Sequence, residues 1–274
     1  MRFSQNKEAG KEMAAIKKMN TKITVQFTLL TLGVTLLTWG GLVILYQHRI
    51  VVDDQPLLYA VLMLGGLSPT YVSYIVLKKN KRVSGFKEWL KNVFYFQAKV
   101  SRYLFAFLLA VLFVGTNTIV SGSAIDGLPP FYSYFVGLLM SFLMGGLEEA
   151  GWRYILQPEL DKKYGFVASS VITAAIWFAW HIPLLLIGFI ELDMGMYAVN
   201  ILGMTFFYGA IIRISGRAGV FLSLLAHTFT NFVFNGFPFN LTWLGTIVTF
   251  AVVVGAASIT VLAYEKKKSL TIST

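Results

Sequence analysis

Eight long apolar runs are the feature that most narrows what this sequence can fold into. They lie at 23–46, 57–77, 103–120, 131–156, 166–189, 197–212, 220–237 and 241–264. An α-helix needs about 20 apolar residues to cross the hydrocarbon core of a bilayer, and a mean hydropathy of +0.67 lies outside the range of soluble domains. The sequence therefore predicts an all-α polytopic integral membrane protein with about eight transmembrane helices. The short run 197–212 and the break near Gly236 leave seven to nine spans open.

The basic residues, which give the chain a formal net charge of +10, are concentrated in alternate connections. They occupy the N-terminal tail, the connection at 78–102, the connections after the fourth and sixth runs, and the C-terminal tail. The intervening connections carry one basic residue, Arg49, and the acidic residues Asp53, Asp54, Asp126, Glu191 and Asp193. By the positive-inside rule, this pattern predicts that both termini are cytoplasmic. It also favours the lipid bilayer, and not a nucleic acid, as the partner of the basic residues.

The chain divides into four parts along its length. Residues 1–22 form a basic cytoplasmic tail, residues 23–130 hold the N-terminal transmembrane helices, residues 131–240 hold the polar motifs, and residues 241–274 form the last transmembrane helix and a second basic tail. Apolar residues recur at helical spacing near 84–100 with charged residues between them, which predicts an interfacial amphipathic helix, with an anchor or elbow as the simpler role. The chain has no cysteine, so disulfides and thiolate metal sites are excluded. The sequence does not indicate an oligomeric state.

Three polar clusters interrupt the apolar runs, and the first lies in the stretch "GGLEEAGWRYIL" at 145–156. A charge near the middle of a bilayer costs roughly 2.5–3.5 kcal/mol on an insertion scale, so charges placed there need compensation. Glu149 and Arg153 are i and i+4 on a helix, which permits an ion pair, whereas Glu148 points about 100° away. We therefore expect Glu149 and Arg153 to support the site and Glu148 to carry the chemistry.

Each of the other two clusters places a histidine one helical turn from a second polar or aromatic residue. The fifth run contains "AIWFAWHIPLLL", where Trp177 and His181 share a face, and the seventh contains "LLAHTFTNFVFN", where His227 and Asn231 share a face. Taken singly, each histidine is equally well explained by a hydrogen bond between helices. Together with Glu148, the clusters offer a general base, an orienting or acid group and oxyanion donors, which are the groups that hydrolysis requires.

The depths of these residues in the bilayer agree only in part. At 1.5 Å per residue, Glu148 lies roughly 13 Å from the end of its span near Gln157, and His227 lies roughly 12 Å from the start of its own span. His181 lies roughly 22 Å from Phe166, so simple counting does not bring it to the same level. Two of the three counts place the site nearer the cytoplasmic face, and we expect substrate to be cleaved there.

The three clusters together resemble the motifs of the CPBP family of intramembrane proteases. This family includes the type II CAAX prenyl endopeptidases and the bacterial bacteriocin-processing and self-immunity (Abi) proteins. Its EExxxR motif is present as "EEAGWR", its Phe-x-x-x-His motif as "WFAWH" with Trp177 in the Phe position, and its His-x-x-x-Asn motif as "HTFTN". The resemblance covers roughly residues 131–240 and has the motifs in the family's order on three separate runs.

The resemblance implies a role for each motif residue. Glu148 with His181 would activate a water molecule that attacks a peptide carbonyl, and His227 with Asn231 would form the oxyanion hole. The Glu149 and Arg153 pair would hold the site together, and the tryptophan in the second motif would preserve an aromatic ring beside the histidine. The implied fold is a bundle of transmembrane helices.

The sequence leaves two ways to activate the water. Glu148, His181 and His227 could supply the two-histidine, one-carboxylate shell of a hydrolytic zinc ion with an open water position. Alternatively, a glutamate and a histidine act directly on water without a metal. We favour the metal-free scheme, because the sequence contains no HExxH motif; no cofactor is firmly predicted.

The predicted function is that of an intramembrane endopeptidase, acting on a membrane-associated peptide or protein in a bacterial plasma membrane. The first alternative is a non-proteolytic family member, a scaffold or self-immunity protein that binds a membrane partner. The second is a proton-coupled transporter, since intramembrane Glu and His residues also build proton relays. Transporters commonly contain repeated halves, and we find no second copy of any motif. The sequence does not identify the substrate or say whether it is prenylated.

Overall fold

The computed structural model describes residues 2–50, 56–122, 130–236 and 240–273. Within these ranges all regular secondary structure is helical. The α-helices are α1 (Arg2–Gln47), α2 (Pro56–Gly66), α3 (Ser68–Lys79), α4 (Phe86–Val93), α5 (Val100–Ser121), α6 (Phe131–Met144), α7 (Glu149–Gly151), α8 (Gln157–Leu186), α9 (Met194–Ser215), α10 (Gly219–Gly236) and α11 (Trp243–Ser273). Two 3-10 turns, Gly146–Glu148 and Gly216–Ala218, and one π-helical turn, Trp152–Leu156, join some of these helices.

The described helices account for the predicted membrane spans. Five segments are long and apolar enough to cross a bilayer, and the pair α2 and α3, bent by 43°, makes a sixth. Two of the five segments, Phe131–Leu186 with 56 residues and Met194–Phe234 with 41, are too long for one crossing. Gly165 (φ 78°) and Gly216 (φ 57°) break them, in a backbone region that glycine adopts without a steric penalty. Each segment therefore holds two spans, and the described residues form an all-α bundle of eight spans.

Side-chain contacts gather the basic connections on one end of the bundle, which we call the basic face. Arg213, at the end of α9, forms ion pairs with Asp161 near the start of α8 and with Glu265 near the end of α11. Arg217, in the turn after α9, donates to Asn92 Oδ1 on α4 at 3.1 Å. Three helix ends, those of α8, α9 and α11, and the helix α4 therefore meet at this face.

Another set of contacts joins helix ends at the opposite face. Ser121 Oγ, at the end of α5, lies 3.1 Å from Thr242 Oγ1, just before α11. Asp193 caps α9 by accepting hydrogen bonds from the backbone N–H groups of Gly195 and Met196, each at 3.0 Å. Because a side-chain cap satisfies N–H groups that a helix leaves unpaired, it defines where α9 begins.

The amphipathic helix predicted near 84–100 corresponds to the shorter helix α4. Its apolar side faces the bundle, since Trp89 and Val93 are buried. Trp89 Nε1 donates to Ser73 Oγ on α3 at 2.9 Å, and the rings of Trp89 and Phe86 stack with centroids 5.5 Å apart. The apolar side of α4 thus packs largely against protein, and Lys87 and Lys91 on the same helix are exposed.

The fourth span is not the continuous helix that the run 131–156 suggests. Helix α6 ends at Met144, and the chain then passes through the 3-10 turn, the short helix α7 and the π-helical turn before α8 begins. This irregular segment carries the whole first motif. Departures from α-helical geometry of this kind occur often at functional sites, and here they decide where the motif side chains point.

Candidate active site

The carboxylate of Glu148 lies inside the bundle, on the 3-10 turn that interrupts the fourth span. The residue is 2% exposed. Its Oε2 atom accepts hydrogen bonds from Trp177 Nε1 at 2.9 Å and from Trp152 Nε1 at 3.2 Å. Because Trp177 belongs to α8, this contact ties the turn to the next span. Two indole donors hold one carboxylate oxygen, so the orientation of Glu148 is set by its surroundings.

A cavity of about 930 Å³ brings together the residues to which the motifs assign chemistry. Glu148, His181, His227 and Asn231 all line it. Trp177 also lines the cavity, and its ring centroid lies 5.8 Å from that of His181 and 5.4 Å from that of His227. Trp177 therefore links the three motifs: it donates to the carboxylate of the first and packs against the histidines of the other two.

The orientation of His181 follows from its backbone contact. Its Nδ1 atom lies 2.9 Å from the carbonyl oxygen of Trp177, one turn earlier on α8. A carbonyl oxygen only accepts hydrogen bonds, so Nδ1 carries the proton, and in the neutral ring Nε2 is left with a free lone pair. The rings of Trp180 and Tyr197 flank His181, with centroids at 4.5 Å and 5.2 Å. The imidazole is thus held on the cavity wall by its backbone contact and by two flanking rings.

Glu149 makes two contacts, of which the sequence predicted one. Its Oε2 atom lies 2.8 Å from Arg153 Nε, the predicted i to i+4 ion pair, although the N–H direction is poor for a hydrogen bond. Its Oε1 atom lies 2.8 Å from His227 Nδ1 on α10. Glu149, Arg153 and His227 are all buried. Glu149 therefore neutralises the charge of Arg153 and orients the His227 ring through Nδ1. Nε2 is the ring nitrogen that this contact leaves for other partners.

Arg153 is enclosed by contacts that sequence analysis missed. Its Nη1 atom donates to Gln157 Oε1 at 2.6 Å, and its guanidinium carbon lies 5.3 Å from the Trp177 ring centroid and 5.2 Å from that of Tyr208. The Tyr208 ring also stacks on His227, with centroids 5.2 Å apart. A buried guanidinium needs such partners. The one sequence signal for Gln157 is its place a single turn after Arg153 in an apolar stretch.

Asn231 lies close to the first motif because Gly145, just before it, has no side chain. A Cβ atom built on Gly145 would lie 2.2 Å from Asn231 Nδ2 and 2.9 Å from the carbonyl oxygen of Ser141. The neighbouring Gly146 has a similar contact, with Thr228 Oγ1 at 2.2 Å from its added Cβ. The two glycines let α10 come close enough for its amide side chain to reach the turn that carries Glu148.

A zinc ion held by Glu148, His181 and His227 does not fit this arrangement. Zinc binds nitrogen and oxygen ligands at about 2.0–2.2 Å in tetrahedral geometry. Across the ranges that the structure describes, no group of three or more His, Asp or Glu side chains is placed to hold one ion. The three residues share a cavity without forming a common ligand shell, and we derive no step through a metal.

Comparison with known proteins agrees with the resemblance that the motifs carry. Residues 130–233 match a family model described as "Type II CAAX prenyl endopeptidase Rce1-like". A curated relative, "CAAX prenyl protease 2" from Methanococcus maripaludis, is 25% identical over 166 residues, which cover 56% of this chain and 58% of the relative. The chain therefore spans less than two thirds of the length of the curated relative that it matches. The matched region contains all three motifs.

Proposed function

We propose that this chain, whose residues 130–233 match the Rce1-like family model, is a protease of the CPBP family that hydrolyses a peptide bond in a membrane-associated peptide or protein. The observation that carries the proposal is the single cavity lined by Glu148, His181, His227 and Asn231. Charged and polar groups inside a bilayer are costly and mark functional sites when they gather around a cavity. The protein spans the membrane several times, and we propose the plasma membrane of a bacterium as its location.

In the proposed reaction, Glu148 and His181 act on a water molecule between them. Glu148 removes a proton as the water oxygen attacks the carbonyl carbon, and Nε2 of His181 accepts a hydrogen bond that orients the water. The carbonyl π bond breaks and its oxygen takes the negative charge. When the tetrahedral intermediate collapses, the C–N bond breaks and the proton held by Glu148 passes to the departing amine. The C=O bond re-forms, one water molecule is consumed, and a carboxylic acid and an amine are released.

His227 and Asn231 would stabilise the negative oxygen of the intermediate. Asn231 donates from its amide nitrogen, and His227 donates from Nε2 when both ring nitrogens carry protons. The second proton of His227 is the one on Nδ1, which faces the carboxylate of Glu149 at 2.8 Å. Glu149 supports this role by holding the His227 ring in place through its contact with Nδ1.

Comparing the membrane peptides of cells that carry the native chain with those of cells that carry Glu148→Gln tests the function. We expect one uncut peptide to accumulate only in the variant, which would name the substrate. A prenylated C-terminal motif, a leader peptide and a bacteriocin precursor are the substrate classes to be distinguished. Identical peptide profiles, with the cellular phenotype retained in Glu148→Gln, would contradict proteolysis and favour a scaffold or self-immunity protein.

Gly145→Ala should impair cleavage and lower the stability of the fold, because the new Cβ would also lie 2.9 Å from the backbone carbonyl oxygen of Ser141. The new Cβ would displace the Asn231 amide, and loss of one oxyanion donor costs about 10²–10³ in kcat, so we expect a loss approaching that range. Gly137→Ala on α6 is the matched control, because its Cβ would meet only Phe232, at 3.8 Å. Cleavage rates and unfolding midpoints of both variants in detergent provide the measurement. A Gly145→Ala protein with an unchanged rate would remove Asn231 from the oxyanion hole.

Removing metal should leave cleavage unchanged. Protein purified without chelator or added zinc is expected to contain no stoichiometric metal, and its cleavage rate should survive dialysis against EDTA, because Glu148 and His181 act on water directly. Metal analysis and the rate before and after dialysis are the readouts. Stoichiometric zinc in the native protein, lost together with activity in His181→Ala, would overturn the metal-free scheme.

A further inference from the structure

The cavity extends from the motif residues in one direction only. Its lining includes Tyr197 and Asn200 near the start of α9, and Phe234 near the end of α10. Its outermost members are Tyr59 on α2, the loop residues at 189–192, and Leu241 before α11. All of these lie toward the face opposite the basic face. Of the described residues, none at 149–176 or 205–226 lines the cavity.

The basic-face side of the site is closed by buried side chains. Glu149, Arg153 and Trp152 are all 0% exposed, and Gln157 is 2% exposed. The Gln157 amide, at the start of α8, donates to Ser170 Oγ at 3.0 Å, which joins this layer to the part of α8 beyond Gly165. The layer beneath Glu148 is therefore buried, and none of these four residues lines the cavity.

The position of His181 agrees with this direction. Counting placed it roughly 22 Å from the basic end of its span, deeper than Glu148 at roughly 13 Å. This difference in depth agrees with the direction of the cavity, because His181 is on the wall between Glu148 and the loop at 189–192. The helix continues from His181 for five residues to Leu186, about 8 Å. An extended chain rises about 3.3 Å per residue, so at least two substrate residues lie between the rim and the site.

We infer that the cavity takes its substrate from the extracytoplasmic side of the membrane, as an extended and apolar peptide segment. The positive-inside rule puts the basic face in the cytoplasm, so the rim faces outward. The wall above the motif residues is largely apolar, with Leu184, Ile201 and Met204 among its members, which favours apolar side chains on the substrate. This inference rests on the proposed function for its substrate, and it concerns the side of access and not the depth of cleavage.

Cysteine labelling tests the direction of access, and the absence of native cysteines makes every introduced thiol the sole target. Asn200→Cys places a thiol on the cavity wall, and Lys162→Cys places one on the basic face, where the lysine side chain is 61% exposed. Each variant is treated, in right-side-out and in inside-out vesicles, with the membrane-impermeant cation methanethiosulfonate ethyl-trimethylammonium. We expect Asn200→Cys to react only in right-side-out vesicles and Lys162→Cys only in inside-out vesicles.

Labelling of Asn200→Cys in inside-out vesicles, from the same side as Lys162→Cys, would overturn the inference. If Asn200→Cys does not fold, Leu192→Cys at the rim serves in its place with the same expected result. The labelling does not depend on proteolysis. Outward labelling together with full cleavage by Glu148→Gln would therefore refute the proposed chemistry and leave the direction of access standing, whereas inward labelling with a dead Glu148→Gln would do the reverse.

Discussion

Replacing Arg153 with methionine is expected to destabilise the folded protein by about 3–5 kcal/mol, the cost of removing one partner from a buried ion pair. Methionine has a similar length and keeps the apolar contacts of the arginine stem. The loss comes from Glu149, whose carboxylate would remain buried with one cationic neighbour fewer, and from Gln157 Oε1, which would lose its donor at 2.6 Å. The free energy of unfolding in mixed micelles is the quantity to measure.

Arg217→Met is the matched control for this prediction. Arg217 is exposed at the basic face, where it donates to Asn92 and lies over the Tyr95 ring, and a cation–π contact at an exposed site contributes only about 0.5–1 kcal/mol. Combining Arg153→Met with Glu149→Gln should cost less than the sum of the two single changes, because the unpaired charge disappears. An Arg153→Met protein as stable as the control would show that this ion pair does not hold the site together.

Glu148→Gln is expected to lower the rate of peptide cleavage by about 10²–10⁴-fold, the usual contribution of a general base. The glutamine carbonyl oxygen can still accept the indole hydrogen bonds of Trp152 and Trp177, so the fold and the cavity should survive. What it loses is the ability to take a proton from water. Single-turnover rates of the purified native and variant proteins on the same peptide give the comparison.

Glu88→Gln makes the same chemical change outside the cavity, at an exposed position of α4, and should leave the cleavage rate unchanged. The unfolding midpoints of native protein, Glu148→Gln and Glu88→Gln should agree to within a few degrees. A Glu148→Gln protein that cleaves at the native rate would exclude this residue as the base and transfer that role to another group in the cavity.

The number of spans could be predicted from the sequence, whereas the breaks within them could not. A run of apolar residues is a local property, so most of the described residues in each of the eight runs are helical in the structure. The change from α6 to a 3-10 turn depends instead on contacts between distant residues. Gly151, for example, leaves room for the Pro69 carbonyl oxygen, which would lie 2.6 Å from an added Cβ. Sequence periodicity does not report such contacts.

The candidate site shows the same division between local and distant contacts. The motif residues could be found because ionisable side chains are conspicuous in apolar runs, and the structure places Glu148, His181, His227 and Asn231 on one cavity. The contact between Glu149 and His227 joins α7 to α10 across 78 positions of sequence, so no spacing rule predicts it. The catalytic roles of these residues stay predictions.

The direction of the cavity illustrates a further limit of counting along helices. Depth counting gives the level of each residue in the bilayer but not which side of that level is packed and which is hollow. The buried layer around Arg153 and Gln157 lies on the basic-face side of the site, where Gln157 bonds to Arg153, Ser170 and the Thr205 carbonyl oxygen on α9. Only the packing of several helices reveals the closed side.

Hydrolysis by the chain alone can be measured in lipid vesicles that contain the purified native protein and the membrane peptide that accumulates in Glu148→Gln cells. We expect mass spectrometry to find two products whose masses sum to that of the peptide plus one water molecule, and to find neither product in vesicles with the variant. An intact peptide beside folded native protein, with the rim open to the compartment that holds the peptide, would contradict the proposal that this cavity cleaves an amide bond.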